Sequence, residues 1–263
     1  MTQRWRAWVR RVRPMVVGDL LSRLVVDPYE RRRIVRTRAG VDLYIDPLTH
    51  LGAEVEATGE YEPAIVSELC ALLRPGTTFV DVGANEGAFC GLAARRVGPS
   101  GLVVAVEPQS RLRDLIRINA ALNHGLERLI VVPGAWGGSP GAEGQLNLWP
   151  GLNSGASGLV SSYRFGWRRE RVVFLEPAHA LSDARVTDDL VLKIDVEGYE
   201  VHVLRALAPL LPRFRAALVD FHAGPMRALG VTAEEARGLL RASGLTERNG
   251  PGTGEGYARF DRL

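Results

Sequence analysis

Phe79-Val80-Asp81-Val82-Gly83-Ala84-Asn85-Glu86-Gly87 is the most informative stretch of this sequence, because an apolar strand there runs into a glycine-containing loop. A helical pattern follows over about residues 86–97. In an open α/β sheet, ligands bind beyond the carboxyl ends of the strands, so this junction is a candidate ligand site. The loop lacks the Gly-x-Gly-x-x-Gly spacing of a pyrophosphate site, and no Walker lysine is near it. It instead offers close backbone approach at Gly83 and Gly87, and the carboxylate of Asp81 suits a ligand with a cationic group.

From Thr77 onward, short apolar strands alternate with helices, which is the pattern of a parallel sheet covered on both faces. We expect strands at Phe79–Val82, Leu102–Val106, Leu129–Val132, Leu190–Ile194 and Ala216–Phe221. Helices are expected at about residues 86–97, 111–122, 199–207 and 232–243. The closing segment Gly256–Phe260 is expected to pair antiparallel at the sheet edge. The predicted fold class is α/β: a Rossmann-like, doubly wound, mostly parallel seven-stranded sheet with helices on both faces and an N-terminal helical and hairpin extension.

The chain before and between these elements divides into three further parts. Residues 33–46 alternate in polarity around Ala39-Gly40, which predicts a hairpin, and residues 63–73 have helical spacing. Residues 134–167 are rich in glycine and serine and long for a loop, which is typical of a lid or an insertion. We therefore predict a basic extension with the hairpin over residues 1–60, and an α/β domain over residues 61–263 with an insertion at 134–170.

Two further acids are expected to face the same crevice as Asp81. Glu107 closes the next strand, at the position where a Rossmann-like fold binds ribose hydroxyls. Asp195 ends another apolar strand, which lies next to the Asp81 strand if the sheet is doubly wound. Strand alternation places Lys193 and Glu197 nominally on the same side as Asp195. A buried ion pair involving Lys193 and a direct catalytic role for this group are both open interpretations.

Three motifs together resemble the class I S-adenosylmethionine-dependent methyltransferases, and more narrowly the FkbM family. They are Arg74-Pro75-Gly76 leading into the loop at 79–87, then Val106-Glu107-Pro108, then Leu192-Lys193-Ile194-Asp195-Val196-Glu197-Gly198-Tyr199-Glu200. The resemblance covers about residues 60–221, and the segment 193–198 is its most family-specific part. Asp220 departs from the family pattern, because relatives often carry glutamate there.

The resemblance implies that S-adenosylmethionine is the cofactor, and it implies which residues contact its methionyl end and which contact its ribose. The methionyl end would be surrounded by Asp81, Gly83, Asn85 and Gly87. Glu107 would hold the ribose. We also expect cofactor contacts from Pro108 and Ala135.

Methyl transfer to an alcohol needs alignment of the nucleophile, exclusion of water and one general base within hydrogen-bond reach. Asp195 and His222 are the candidate catalytic residues. The plainer interpretation of His222 is an ordinary histidine at the end of a strand. Further support for the site is expected from Lys193, Glu197, Tyr61, Glu62, Asn153 and Ser154. No histidine or cysteine pair has ligand spacing, so the sequence predicts no metal site.

The charge of the chain is divided unevenly. It has 32 arginines and one lysine, and residues 1–40 carry a net charge of +8 while the rest carries −5. The segment from Arg4 to Arg13 interleaves Trp5 and Trp8 with arginines, a pattern that suits an anionic membrane surface or nucleic acid. A solvated basic helix is the plainer alternative. Two cysteines and no apolar run of about 20 residues predict a cytoplasmic protein, with peripheral membrane contact through this arm as an option.

These observations favour an enzyme that methylates a hydroxyl of a small molecule, a sugar or a lipid-linked glycan. The first alternative is a nucleic-acid methyltransferase that grips phosphates with the arginine-rich arm. Nucleic acid is the weaker expectation, because Val-Glu-Gly follows Asp195 where base-flipping enzymes carry an aromatic motif. The second alternative is a non-catalytic scaffold at a membrane. A homo-oligomer is compatible with the sequence.

Overall fold

The computed structural model describes residues 31–148, 157–159, 168–248 and 256–262. Within them the strands are β1 (Arg33–Arg36), β2 (Asp42–Ile45), β3 (Thr78–Val82), β4 (Leu102–Val106), β5 (Leu129–Val132), β6 (Glu143–Leu148), β7 (Arg168–Val173), β8 (Leu190–Ile194), β9 (Phe214–Phe221), β10 (Leu245–Glu247) and β11 (Gly256–Arg262). The helices are α1 (His50–Thr58), α2 (Pro63–Leu72), α3 (Ala88–Val97), α4 (Ser110–Leu122), α5 (Pro177–Leu181), α6 (Glu200–Leu207), α7 (Ala223–Ala228) and α8 (Ala233–Ala242).

Seven of these strands form one sheet, in the order β10-β11-β9-β8-β3-β4-β5. β3 pairs in parallel with β4 and β8, and the parallel pairing continues to β5 on one side and β9 on the other. β11 runs antiparallel to both of its neighbours. Every residue of β3, β4 and β8 is buried, as expected of central strands covered on both faces. The predicted α/β fold class is confirmed.

The predicted central elements have the expected positions, whereas several short elements were not predicted. The strand at the end of the chain is not at the sheet edge, because the three-residue strand β10 pairs outside it. The insertion contains the antiparallel pair β6 and β7. Helices α1, α5 and α7 also lacked a recognised signal. Segments of three to nine residues carry too few periodic positions to be distinguished from loops.

The hydrophobic core consists of two clusters that pack on opposite faces of the sheet. One contains Val80, Val104 and Leu192 with α6 and α8, and the other contains Phe79, Val103 and Val191 with α2 and α3. These residues alternate along the strands, because successive side chains point to opposite faces. Burying each large apolar side chain contributes about 1.5–3 kcal/mol. The strand ends, where the site lies, are therefore held on a rigid support.

The hairpin β1–β2 packs against the α/β domain. The backbone N–H of Tyr44 donates to the side-chain oxygen of Asn119 at 2.7 Å, and that of Asp42 donates to Asn123 at 3.1 Å. Arg32 also forms a buried salt bridge with Glu86 at 2.7 Å. The hairpin predicted as part of an extension is thus attached to the domain by hydrogen bonds and shared core. The arginine-rich segment before Arg31 lies outside the described residues. No helix within them is both long and apolar enough to span a bilayer.

Candidate functional site

A cavity of about 280 Å³ lies at the carboxyl ends of the parallel strands. Its wall draws on the segments that follow β3, β4, β5 and β8, and on the end of β9. Among the predicted residues, the cavity is lined by Tyr61, Glu62, Gly83, Asn85, Glu107, Pro108, Ala135, Asp195, Glu197 and His222. The topology brings these residues together because all parallel strands end at the same edge of the sheet. The structure therefore assembles most of the predicted site in one place.

Glu107 lies in the wall of the cavity, and both of its carboxylate oxygens are oriented by backbone groups. Oε2 accepts from the N–H of Asn85 and Oε1 from the N–H of Gln109, each at 2.8 Å. Burial raises the pKa of Glu107 to about 7, and these two hydrogen bonds counteract it only in part. Glu107 is only 3% exposed, so water solvates its ionised form poorly. A hydrogen-bond donor on a bound ligand would therefore stabilise that ionised form. The geometry matches the role predicted for this residue.

The glycines of the loop are required by contacts within the protein. Gly83 has φ of 86°, and an added Cβ would lie 1.9 Å from the carbonyl oxygen of Asp195. Gly87 has φ of 82°, and its added Cβ would lie 2.7 Å from Cα of Ile116. The expectation that both glycines admit a ligand is therefore corrected: Gly83 lines the cavity, but Gly87 does not line it in the described part of the chain. Asn85, with φ of 50°, completes the left-handed loop and also lines the cavity.

Asp81 is buried beneath the cavity rather than in its wall. Its carboxylate is fully buried and lies 3.3 Å from the ammonium of Lys193, the partner residue in the register of β3 and β8. The thiol of Cys90 donates to its other oxygen at 3.6 Å. The predicted contact between Asp81 and the methionyl end of a cofactor stays a prediction, and in this structure the carboxylate faces Lys193. The residue points to the opposite face of its strand from Val82, which does line the cavity.

Lys193 connects this buried acid to the cavity. Its ammonium lies 3.5 Å from Oδ2 of Asp195 and over the ring of Phe89, 5.0 Å from the centroid. Burial favours the neutral amine, but the charges of Asp81, Asp195 and Glu62 outweigh it and raise the pKa of Lys193. Lys193 therefore remains charged at neutral pH. The structure contains the buried ion pair that was one of the two interpretations left open by the sequence. The same lysine also contacts Asp195, which lies in the cavity wall.

Tyr257 is a member of the site that the sequence did not reveal. Its hydroxyl lies 3.3 Å from Oε2 of Glu62 and 3.3 Å from Oδ2 of Asp195. Glu62 is the N-cap residue of α2 with φ of 43°, and Tyr61 beside it packs on Phe89. The tyrosine comes from β11, which reaches this position only because the last strand returns between β9 and β10. Asp195 is thus fixed from two sides.

His222 follows β9 and lies among four carboxylates. Its Nδ1 lies 2.9 Å from Oε1 of Glu200, and its Nε2 lies 3.6 Å from Glu197, 3.7 Å from Asp220 and 3.9 Å from Asp195. Burial alone would lower the pKa of His222, but the hydrogen bond to Glu200 and the neighbouring negative charges raise it to about 10. The free protein therefore carries an imidazolium here at neutral pH. That protonation state conflicts with the predicted use of His222 as a general base.

Glu197 and Asp220 complete this acidic wall. Burial raises the pKa of Glu197 to about 7, with His222 opposing the shift and the nearby carboxylates adding to it. Glu197 has φ of 54°, so its side chain leaves the turn after β8 in a direction that simple strand alternation does not give. Asp220 lines the cavity from β9. The position that departs from the family pattern is therefore part of the site.

The remaining cavity wall comes from the insertion and from the segment after β5. Ser157, Gly158 and Leu159 line the cavity, which agrees with the prediction that the insertion borders the site. Asn153 and Ser154 lie outside the described residues. Trp136 is 1% exposed, lines the cavity, and its indole N–H has no hydrogen-bond partner among the described residues. Other lining residues that the sequence did not single out are His50, Gln109, Leu146, Val196, Tyr199 and Val203.

Comparison with solved structures finds several methyltransferases at low sequence identity. A putative rRNA-methylase from Clostridium thermocellum is 9% identical, with a TM-score of 0.47 over 76% of this chain and 96% of that one. A SAM-dependent O-methyltransferase from Thermotoga maritima is 14% identical, with a TM-score of 0.43 over 88% of this chain and 77% of that one. Aeropyrum pernix fibrillarin with bound S-adenosyl-L-methionine is 11% identical, with a TM-score of 0.42 over 76% and 74%.

Family membership rests on a direct match to the chain, since all three TM-scores are below 0.5. No curated protein matches the sequence. The family model described as the methyltransferase FkbM domain matches residues 81–245, which is more than half of the chain and runs from the end of β3 to the first residue of β10. The match begins at Asp81 and contains Glu107, Asp195 and His222. The chain therefore belongs to the FkbM methyltransferase family of S-adenosylmethionine-dependent enzymes, as the three sequence motifs implied.

Proposed function

We propose that this chain transfers a methyl group from S-adenosylmethionine to a hydroxyl oxygen of a small molecule, a sugar or a lipid-linked glycan. The observation that carries the proposal is Asp195, a carboxylate fixed by Lys193 and Tyr257 in the wall of the same cavity that contains Glu107. In this proposal the cofactor and the acceptor occupy two ends of one cavity. The bound cofactor supplies a methyl group that its sulfonium already activates.

The residues present fit the cofactor. Glu107 directs two carboxylate oxygens that backbone amides hold in place, and each oxygen retains capacity for a hydroxyl of the ribose. Gly83 and Asn85 provide adjoining backbone, and Pro108 and Ala135 line the same part of the cavity. The buried indole N–H of Trp136 is a further donor that a ligand in this cavity would satisfy.

The acidic part of the cavity suits the acceptor hydroxyl. Methyl transfer is a displacement in which the oxygen–carbon bond forms as the carbon–sulfur bond breaks and its electron pair goes to sulfur. The proton of the hydroxyl must then leave, and Asp195 is placed to orient that hydroxyl and receive the proton. Lys193 and Tyr257 both contact Oδ2 of Asp195. Its other oxygen, Oδ1, is left facing His222, 3.9 Å from Nε2. Asp81 acts on this geometry through Lys193 rather than by touching the reactants.

Calorimetry with S-adenosylhomocysteine tests the cofactor site, and labelled methyl transfer to a panel of alcohols tests the reaction. We expect Glu107→Gln to weaken S-adenosylhomocysteine binding at least about tenfold, since a neutral amide is a poorer acceptor for two hydroxyls. We expect Asp195→Asn to leave that binding within about twofold and to lower kcat at least about 100-fold, the range for loss of a general base. Asp114→Asn, a change of an 85% exposed carboxylate on α4, is the matched control.

Three results would contradict the proposal. Wild-type protein that does not bind S-adenosylhomocysteine contradicts the cofactor assignment. Methyl transfer only to nitrogen or carbon acceptors, with no labelled ether formed on any alcohol, contradicts the hydroxyl assignment. Binding that Asp195→Asn and Glu107→Gln weaken equally contradicts the division of the cavity into two ends.

A further inference from the structure

Three side chains of metal-binding type meet in the wall of the cavity. They are Asp195, Asp220 and His222, and one ligand atom from each lies within 4.8 Å of the others. Nε2 of His222 lies 3.7 Å from Oδ2 of Asp220 and 3.9 Å from Oδ1 of Asp195. Two atoms bound at about 2.1 Å to one octahedral ion lie about 3 Å apart when adjacent and about 4.2 Å apart when opposite. The observed separations fall within that range, and they are too long for direct hydrogen bonds.

Two of these three groups, Asp195 and His222, are oriented by further residues. Lys193 and Tyr257 contact Oδ2 of Asp195 and leave Oδ1 facing the imidazole. Glu200 contacts Nδ1 of His222, which leaves Nε2 facing the carboxylates. A carboxylate on the far nitrogen of a histidine is the arrangement that orients metal-bound imidazoles.

Glu200 also provides independent evidence for a missing cation. The residue is fully buried and its carboxylate is aimed at the imidazole. Oε1 is engaged by His222 and by the N–H of Gly198, whereas Oε2 has no hydrogen-bond partner among the described residues. A buried carboxylate with an unpaired oxygen is costly unless positive charge lies nearby. In the free protein the imidazolium of His222 supplies one positive charge at Oε1, and a divalent ion at Nε2 would replace it with a larger charge that acts through the ring.

The balance of charge points the same way. Glu197 adds a further carboxylate 3.6 Å from Nε2, so four acids surround one imidazole. The imidazolium supplies one positive charge against these four acids, and the further cation beside Asp195, Lys193, already shares its charge with Asp81. Carboxylates this close together repel each other in a partly buried wall, and a bound cation relieves the repulsion.

We propose that Asp195 Oδ1, Asp220 Oδ2 and His222 Nε2 bind one divalent metal ion, of the Mn²⁺ or Mg²⁺ class, in the wall of the cavity. Two carboxylates with one imidazole form a mainly oxygen ligand set, which suits these ions better than thiolate-seeking metals. The sequence predicted no metal site, because no pair of histidines or cysteines has ligand spacing. The ligands proposed here instead come from the ends of two strands, Asp195 after β8 and both Asp220 and His222 at the end of β9. This inference rests on the proposed hydroxyl methylation and refines it. With Oδ1 of Asp195 bound to the ion, the ion holds an acceptor through neighbouring oxygen atoms, such as those of a vicinal diol, and Asp195 acts on the hydroxyl through the ion.

Titration of metal-stripped full-length protein with Mn²⁺, followed by electron paramagnetic resonance of the free ion, tests the site. We expect one Mn²⁺ per chain, displaced by excess Mg²⁺. Asp220→Asn should weaken binding at least tenfold, and the exposed control Asp114→Asn should leave it unchanged. Pulsed spectra of the bound ion should show coupling to an imidazole nitrogen, and His222→Gln should abolish that coupling.

S-adenosylhomocysteine binding by each variant shows that the fold is retained and separates this site from the proposed function. Mn²⁺ binding without S-adenosylhomocysteine binding would leave the metal site standing and contradict the proposed function. Absence of saturable Mn²⁺ binding, equal binding by Asp220→Asn, or a bound ion without nitrogen coupling would each overturn the metal site. If Asp220→Asn weakens binding of S-adenosylmethionine but no Mn²⁺ binds, the acids serve the sulfonium of the cofactor and the metal site is likewise overturned.

Discussion

The two ends of the cavity are built in different ways. The nucleotide end, which we define as Gly83, Asn85, Glu107, Pro108 and Ala135, lies on loops directly after β3, β4 and β5, and its key acid is oriented by backbone N–H groups. In the acidic end, which we define as Asp195, Glu197, Asp220 and His222, side chains orient Asp195 and His222, and two of these side chains, Glu200 and Tyr257, come from other elements. A backbone-oriented site can be recognised from a short motif. A side-chain-oriented site depends on strands that are distant in sequence.

The two ends touch at Gly83, and substitution there gives the largest expected effect. Gly83→Ala places a Cβ 1.9 Å from the carbonyl of Asp195 at a φ of 86°. We expect a loss of at least about 3 kcal/mol in the free energy of unfolding, measured by urea denaturation. Gly230→Ala is the control, because Gly230 also has positive φ, 72°, but has open space around it, and should cost about 1 kcal/mol. Equal losses for both would show that the two ends are not in close contact.

The buried ion pair beneath the acidic end gives the next largest effect. Asp81→Asn leaves Lys193 buried with a weaker set of partners, and we expect a loss of about 3 kcal/mol in the free energy of unfolding. The double variant Asp81→Leu with Lys193→Met removes both charges and should regain at least half of that loss. Urea denaturation of the three proteins measures this. A double variant no more stable than the single one would contradict the ion pair as the source of the loss.

The nucleotide end should respond to pH through Glu107. Burial raises its pKa to about 7, and donors on a bound ligand stabilise the ionised form. Affinity for S-adenosylhomocysteine should therefore be highest above pH 7 and fall up to about tenfold by pH 6, as the carboxylate is protonated. Calorimetry from pH 6 to 8 measures the change. Glu107→Gln should bind more weakly with a flat profile, and tighter binding at pH 6 by the wild type would contradict the assignment.

Tyr257 offers the smallest and most local test of the acidic end. Its hydroxyl contacts Asp195 and Glu62 at 3.3 Å, which is long for strong hydrogen bonds. Tyr257→Phe should cost about 1 kcal/mol in the free energy of unfolding and lower kcat severalfold, with S-adenosylhomocysteine affinity unchanged. A double-mutant cycle with Asp195→Asn isolates their coupling. Strictly additive effects on kcat would show that the tyrosine does not position Asp195.

Much of the nucleotide end was predictable, and much of the acidic end was not. Glu107 follows a recognisable apolar strand, so its place at the edge of the sheet could be read from the motif. Asp81 lies in an equally clear motif, but a fully buried strand gives no alternation to show which face a side chain takes. Its pairing with Lys193 depends on the register of β3 with β8, more than 100 residues apart in the chain.

The amino-acid sequence alone was enough to predict the order of the central strands and helices, the glycine loop, the family, and that Glu107, Asp195 and His222 lie at one edge of the sheet. These features are local, because strand periodicity and loop chemistry act over a few residues. The three-dimensional fold was needed to show that Asp81 lies beneath the cavity, that Tyr257 of β11 fixes Asp195, and that Glu200 contacts His222. Each of these contacts joins two different elements of the fold. The distances between these residues depend on the register of β3 with β8 and on the antiparallel direction of β11. A local sequence pattern contains no information about either.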